Sequence, residues 1–355
     1  MNNFFWQKLE KPIIGLSPMD GVSDAPFRLI CAKYGKPSVH MTEFTSVEGI
    51  CHAATKPLMA FLYDEIERPI VAQLFGTDPL SFYKSSILAC AMGFDGIDIN
   101  MGCPANSVAN RGAGAGLIKT PELAKEIIEQ CQKATQDWAN GIEIEKVELP
   151  EKILEFSKIH WKKYFEKSPQ ERHLIPVSVK TRIGLTEITI EEWVKHLLEK
   201  NPANISIHGR TLRQMYEGSA NWEAIAKGAQ IIKQTSTTVL GNGDIHSLED
   251  AHHKIKTYGV DGVLIGRGSY GNPWIFNKDI TYEEISTQKK LETAIEHSRY
   301  FEQTFGTTHF APMKKHLGWY CKGFTNAKEL RMKLMKCNSA DEVEKTVNEN
   351  LSLLT

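Results

Sequence analysis

The chain has 355 residues, with 42 Lys and Arg against 43 Asp and Glu, 41% hydrophobic and 9% aromatic. That length exceeds an average domain yet suits one large barrel with a small appendage, and the apolar fraction excludes a disordered or fibrous chain. A formal charge of −1 excludes a uniformly basic nucleic-acid coat, but not a local basic patch.

Short β-rich runs recur through the first three quarters. They are PIIGLS (12–17), SVHMTE (38–43), PIVAQLF (69–75) and FDGIDIN (94–100), then IPVSVKTR (175–182), ANISIHG (203–209), TTVLGNG (237–243) and DGVLIG (261–266). Nearly continuous Val and Ile content predicts parallel strands buried on both faces. Helix-like segments lie between them at 78–92, 121–136, 189–200, 222–234 and 247–258. Asp78-Pro79, Thr120-Pro121 and Ser247 read as N-caps, two with proline at N1. Eight strands alternating with helices predict a (β/α)8 TIM barrel over 1–280. A doubly wound open sheet usually stops at fewer strands.

Two regions depart from the repeat. Residues 137–174 fill a connection where about 2–6 residues are usual. Their amphipathic spacing through Ile153, Phe156, Ile159 and Tyr164 predicts an extra packed helix on the face opposite the chemistry. Residues 285–355 have helical periodicity and no strand signal, so a small all-α C-terminal domain is expected. Its stretch 311–336 carries Lys314, Lys315, Lys322, Lys328, Arg331, Lys333 and Lys336 against only Glu329.

The strand ends carry polar residues: Ser17-Pro18-Met19, Glu43, Gln73, Asn100, Lys180 with Arg182, His208 with Arg210, Asn242-Gly243-Asp244 and Gly266-Arg267. In such a barrel these ends converge on one face, where the active site is built. The loops after strands seven and eight combine Gly243 and Gly266 with the cation of Arg267, a pattern suited to a phosphate. GRGSYG (266–271) matches the dinucleotide fingerprint, but Asn272-Pro273 follows at once and the strand is the last, so that reading is rejected. The amide of Gln73 suits the edge of a flavin pyrimidine ring, and Lys180 would stabilise negative charge on it. The alternative for Lys180 is a buried ion pair with Glu43 or Asp98.

Seven cysteines form no CxxC pair and their number is odd, against a disulfide framework or structural zinc site. Cys31, Cys90, Cys131 and Cys337 are expected in the core. Cys103 lies in the loop NMGCPANSVANRGAGAGL, where access to a ligand is expected, and its thiol is a candidate acid. Glycines 112, 114 and 116 suggest a mobile segment that closes over a substrate. His208 is a candidate anion ligand or second acid. The histidines show no metal-ligand spacing, so no metal is expected. No stretch approaches the roughly 20 apolar residues of a membrane span. The N-terminal dozen residues lack the order of a signal peptide, and a soluble cytoplasmic protein is expected.

Taken in order, SPMDGVSDAPFR (17–28), TEFTS (42–46), VAQLFGTDP (71–79), DGIDINMGCP (95–104), GAGAGLIKTPE (112–122), VSVKTRIG (177–184), HGRTLRQMYEGSANW (208–222), NGDI (242–245) and DGVLIGRGSYGNPWIF (261–276) resemble the tRNA-dihydrouridine synthases. MKKHLGWYCKG (313–323) is similar to the helical domain of bacterial members. The resemblance implies an FMN-dependent reductase converting tRNA uridines to 5,6-dihydrouridine with NADPH or NADH. It places Pro18, Met19 and Asp20 along the flavin, Gln73, Lys180 and His208 near its ring, and Asn242, Gly243, Asp244, Gly266 and Arg267 at its phosphate. Cys103 matches the family's proton donor, with hydride going to C6 of uracil and the proton to C5. Asn100 and Arg210 match positions near substrate, and Lys314 and Lys315 are candidate tRNA contacts in a helical recognition domain at 285–355. A monomer is expected. Family members usually have Ala where this chain has Asp20, and the segment 137–174 is not part of the family pattern. The competing readings are a reductase of a free pyrimidine, of the dihydroorotate dehydrogenase type, and a non-catalytic tRNA-binding barrel.

Overall fold

The computed structural model describes residues 4–351. Eight parallel strands follow one another: β1 (Ile13–Leu16), β2 (His40–Met41, resumed at Thr45–Ser46), β3 (Ile70–Phe75), β4 (Gly96–Met101), β5 (Val177–Arg182), β6 (Asn204–His208), β7 (Thr238–Asn242) and β8 (Gly262–Ile265). Each pairs with its chain neighbour from β2 through to β8, and β8 pairs with β1. The seam between β1 and β2 is bridged where Leu16 N–H donates to the Val39 carbonyl at 3.0 Å and Ser38 N–H to that of Ile14 at 2.8 Å. The chain therefore forms the (β/α)8 barrel its strand count predicts. The strands are buried throughout apart from Phe75, Lys180, His208 and Ser46, which explains their lack of polar alternation.

Around the barrel run α1 (Ala25–Tyr34), α2 (Pro79–Ala91), α3 (Pro121–Ala139), α4 (Glu151–His160), α5 (Ile190–Leu198), α6 (Trp222–Ile232) and α7 (Leu248–Tyr258). Local chemistry starts most of them. Asp78 accepts from Ser81 N–H at 2.8 Å and Ser247 from Asp250 N–H at 3.0 Å, contacts worth about 1 kcal/mol each. Thr120 differs from expectation. Its φ of −129° and ψ of 69° lie outside the extended cap conformation, and its hydroxyl turns back to the Leu117 carbonyl.

The segment 137–174 does contain a helix, α4, and it sits against the N-terminal ends of the strands. The Tyr164 ring lies over Gly93, its hydroxyl bonds Arg68 and Glu65, and Arg68 pairs with Asp95 at 2.9 Å just ahead of β4. The expected apolar face is wrong in one member. Ile153 and Ser157 are buried, whereas Ile159 is 76% exposed. Two positions past Ser157 is a turn of about 200°, to the opposite side of the helix. Trp161 and Tyr164, beyond the helix end, complete the buried surface instead.

After the barrel come α8 (Thr287–Phe305), α9 (Met313–Tyr320), α10 (Ala327–Leu334) and α11 (Ala340–Asn350). They share an apolar cluster of their own that includes Leu291, Phe301, Leu317, Leu334 and Val343. This group docks on the C-terminal side of the barrel. Trp319 stacks on Tyr270 at 3.9 Å and 14°, and Lys322 donates to the Tyr270 carbonyl at 3.0 Å. Gly271, at φ +64°, allows the approach, since a Cβ there would sit 2.1 Å from the Trp319 carbonyl oxygen.

Candidate active site

A cleft of about 410 Å³ opens at the C-terminal ends of the strands, within the size range of small-molecule sites. Pro18, Met19, Asp20, Gln73, Asn100, Cys103, Lys180, His208, Arg210, Asn242, Gly243, Asp244, Gly266 and Arg267 all line it. Lys314 and Lys315 do not. Neighbours on α9, they diverge: Lys314 donates to the Asn338 side chain at 2.9 Å, while Lys315 approaches Gly21 and the carboxylates of Asp20 and Asp24.

The floor of the cleft is a polar layer set by strand register. Gln73 pairs with Asp98, Asp98 with Ser178, and Asn100 with Lys180. Lys180 donates to the Asn242 side chain at 3.2 Å and forms no ion pair among the described residues, so neither carboxylate considered for it is its partner. Burial, reinforced by Arg182, lowers its pKa to about 8. An ammonium held this way has its charge available to a ligand.

Cys103 is more enclosed than its loop composition suggested, at 9% exposure. Burial raises its pKa, with the Ala105 N–H opposing, so the thiol keeps its proton at neutral pH. The glycine segment behind it is packed rather than open: Gly114–Lys119 forms a short 3-10 helix with Gly114, Ala115, Gly116 and Leu117 buried. Gly114, at φ +56°, lies so close that a Cβ there would sit 2.9 Å from the Cys103 carbonyl oxygen.

At the other end, Asp244 receives Arg210 and Arg267, each at 2.7 Å. Two guanidinium groups share one carboxylate, which leaves an excess positive charge beside the backbone of Gly243 and Gly266. His208 cannot add to it. Burial and the charges of Lys180, Arg182, Arg210 and Arg267 drive its pKa well below the usual value, so the ring faces the cleft in its neutral form. Among the described residues no group of three or more His, Cys, Asp and Glu side chains could hold a metal ion.

Arg182, named from the sequence only as a strand end, also lines the cleft, as do the aromatics Phe44, Tyr216 and Tyr270, which the sequence does not mark as site members. Arg182 lies two residues past Lys180 on one strand and so faces the same side. It bonds the carbonyls of Gly102, Thr211 and Met215 at 2.6, 3.1 and 3.1 Å, tying the cysteine loop to the loop after β6. The three aromatics come from loops whose paths no local pattern fixes.

A family model described as dihydrouridine synthase matches residues 15–144 and 167–354, leaving 145–166, within the extra segment, unmatched. A probable tRNA-dihydrouridine synthase 2 of Bacillus subtilis (strain 168) is 33% identical over 357 residues, spanning 98% of this chain and 97% of its own. A probable tRNA-dihydrouridine synthase of Staphylococcus aureus (strain COL) is 34% identical over 358 residues, spanning 98% and 96%. The chain belongs to the dihydrouridine synthase family.

Proposed function

We propose that the protein is a tRNA-dihydrouridine synthase that uses FMN and a nicotinamide reductant, NADPH or NADH, and acts as a cytoplasmic monomer. The observation that carries this reading is the placing of Cys103 and the Lys180 ammonium, bonded to Asn242 and to no carboxylate among the described residues, in one cleft that ends in a glycine and arginine cradle.

These residues fit FMN. The excess positive charge beside Gly243 and Gly266 suits a phosphate, and a buried cation without a carboxylate partner suits an electron-rich ring. Pro18, Met19, Asp20, Gln73, Lys180 and His208 would hold the ring, and Asn242, Gly243, Asp244, Gly266 and Arg267 the phosphate end. When bound and reduced, the flavin supplies a hydride to C6 of uracil. Cys103 holds the proton for C5 on its sulfur, and Asn100 and Arg210 orient the base. A uridine in folded RNA must be extruded to reach such a floor. The exposed Lys328, Arg331, Lys333 and Lys336, with Lys314 and Lys315, would meet backbone phosphates, which a free-pyrimidine reductase does not need.

The test uses purified protein, NADPH and tRNA lacking modifications, with mass spectrometry of nuclease digests. Uridines that gain two hydrogens are the expected product; turnover of free pyrimidines alone would refute the reading.

A pH effect on FMN affinity follows from Lys180. Its charge is present below about pH 8 and lost above it, so an anionic ligand binds the protonated form and raises that pKa on binding. Fluorescence titrations should show affinity falling from pH 7 to pH 9 by up to about tenfold per unit. In Lys180→Met the affinity should be weaker at neutral pH and nearly flat over that interval.

A further inference from the structure

Through the cleft floor a chain of side-chain hydrogen bonds runs from Ser178 to the backbone of Cys103. The Ser178 hydroxyl donates to Asp98 Oδ1 at 2.7 Å, and Gln73 Nε2 donates to Asp98 Oδ2 at 2.7 Å. Asn100 Nδ2 donates to Gln73 Oε1 at 2.9 Å, and Asn100 Oδ1 accepts from Gly102 N–H at 3.1 Å and Cys103 N–H at 2.8 Å. The chain's polarity is fixed at both ends. An ionised carboxylate only accepts, so Gln73 must turn its amide nitrogen toward Asp98 and its oxygen toward Asn100. Backbone N–H groups only donate, so Asn100 must turn its oxygen toward Cys103 and its nitrogen toward Gln73. Two amides that could each adopt two orientations are thereby held in one.

Asp98 lies beneath the lining of the cleft and is fully buried. It has no cation within ion-pairing distance among the described residues, so a role as half of a salt bridge does not explain it. Buried acids are costly unless hydrogen-bonded, and here both oxygens are used.

We propose that Asp98 is a positioning residue that, through the amides of Gln73 and Asn100, sets the place of Cys103 relative to the reacting base. This rests on the proposed synthase activity for its kinetic part but not for its geometric part. Asp98→Ala removes the acceptor of Gln73 Nε2, so the Gln73 side chain loses its anchor and Asn100, still oriented by the Gly102 and Cys103 N–H groups, is no longer held in place from the other side. Displacement of a reacting group by about 1 Å costs on the order of a hundredfold, and kcat per bound flavin should fall by roughly that factor while tRNA affinity is kept. Asp98→Asn should restore most of the rate. Its amide oxygen replaces Oδ2, and its nitrogen donates to the Ser178 hydroxyl, which can pass its own proton to the Ile97 carbonyl, 3.2 Å away. Adding Ser178→Ala to Asp98→Asn removes that anchor, and the rate should fall again.

The second readout needs no tRNA. The rate at which iodoacetamide labels Cys103, followed on its peptide by mass spectrometry, should change in Asp98→Ala and in the double variant and return in Asp98→Asn. If Asp98→Ala does not fold, the comparison of Asp98→Asn with its Ser178→Ala double variant carries the test. Asp98→Asn as impaired as Asp98→Ala would mean that charge, not polarity, matters, and would overturn the proposal. Unchanged labelling in all variants would overturn it as well. If the wild-type chain makes no dihydrouridine, the synthase reading fails, and the labelling pattern still decides the role of Asp98.

Discussion

Cys103→Ala is expected to lower the rate of dihydrouridine formation by about 10²–10⁴, the range for loss of a positioned general acid. The substitution removes only the sulfur. Cys103 N–H still reaches Asn100 Oδ1 at 2.8 Å, and its carbonyl still accepts from Ala115 N–H at 3.1 Å, so the loop should stay in place. Flavin content, reduction of the flavin by NADPH and tRNA affinity should therefore match the wild type. Only the step that protonates C5 is lost. A variant that binds and is reduced but does not modify tRNA separates the enzyme from a non-catalytic tRNA-binding barrel.

The pH profile gives an independent check. Burial raises the thiol pKa above its reference of 9.0, so the proton is present at neutral pH and lost only as pH rises through the raised value. Lys180, lowered to about 8, loses its charge earlier. With flavin saturating, the donor should sustain single-turnover reduction of tRNA up to at least pH 9. A fall already complete by pH 8 would mean that Cys103 is not the acid.

The barrel was legible because buried parallel strands must be apolar on both faces, and eight such runs with helical intervals have few other solutions. Cys103, Lys180 and the loops after β7 and β8 were legible for a related reason: polar groups at strand ends have little packing purpose. What stayed hidden depends on contacts between elements. The partner of Lys180 is Asn242 rather than Glu43 or Asp98, a matter of reach across the barrel that spacing along the chain does not encode. The neutrality of His208 requires knowing that Lys180, Arg182, Arg210 and Arg267 all surround it. Lys314 and Lys315 look equivalent as letters, yet a rotation of about 100° sends one toward Asn338 and the other toward Asp20. Ile159 shows another failing, since steps of three from Ile153 through Phe156 drift about 60° each round the helix and carry it off the buried side.

The largest stability loss is expected at the last residue of the SPMDGVSDAPFR stretch, away from the cleft lining. Arg28, on α1, is fully buried against Glu67, with Nε to Oε2 at 2.7 Å and side-chain exposures of 0% and 1%. Its remaining donors bond the carbonyl of Ser23 at 2.8 Å and that of Leu62. Ser23 holds the β1 turn at the cleft through its hydroxyl, which accepts from Met19 N–H at 2.8 Å, so Arg28 braces one wall of the site from behind. Arg28→Met fills similar space but strands the Glu67 carboxylate in the core. Removing one partner of a buried pair costs about 3–5 kcal/mol, chiefly through the charge left behind. Burial already raises the Glu67 pKa against the pull of Arg28, and without Arg28 it must rise further. A raised carboxyl favours the folded state at low pH and loses that advantage as pH rises through the folded value. The deficit of Arg28→Met should accordingly be largest near neutral pH and shrink on mild acidification, as denaturant unfolding at pH 7.5 and 5.5 can measure. Adding Glu67→Gln should recover part of the loss at the higher pH by removing the stranded charge. A deficit independent of pH and untouched by Glu67→Gln would instead assign the effect to the broken carbonyl contacts of Ser23 and Leu62.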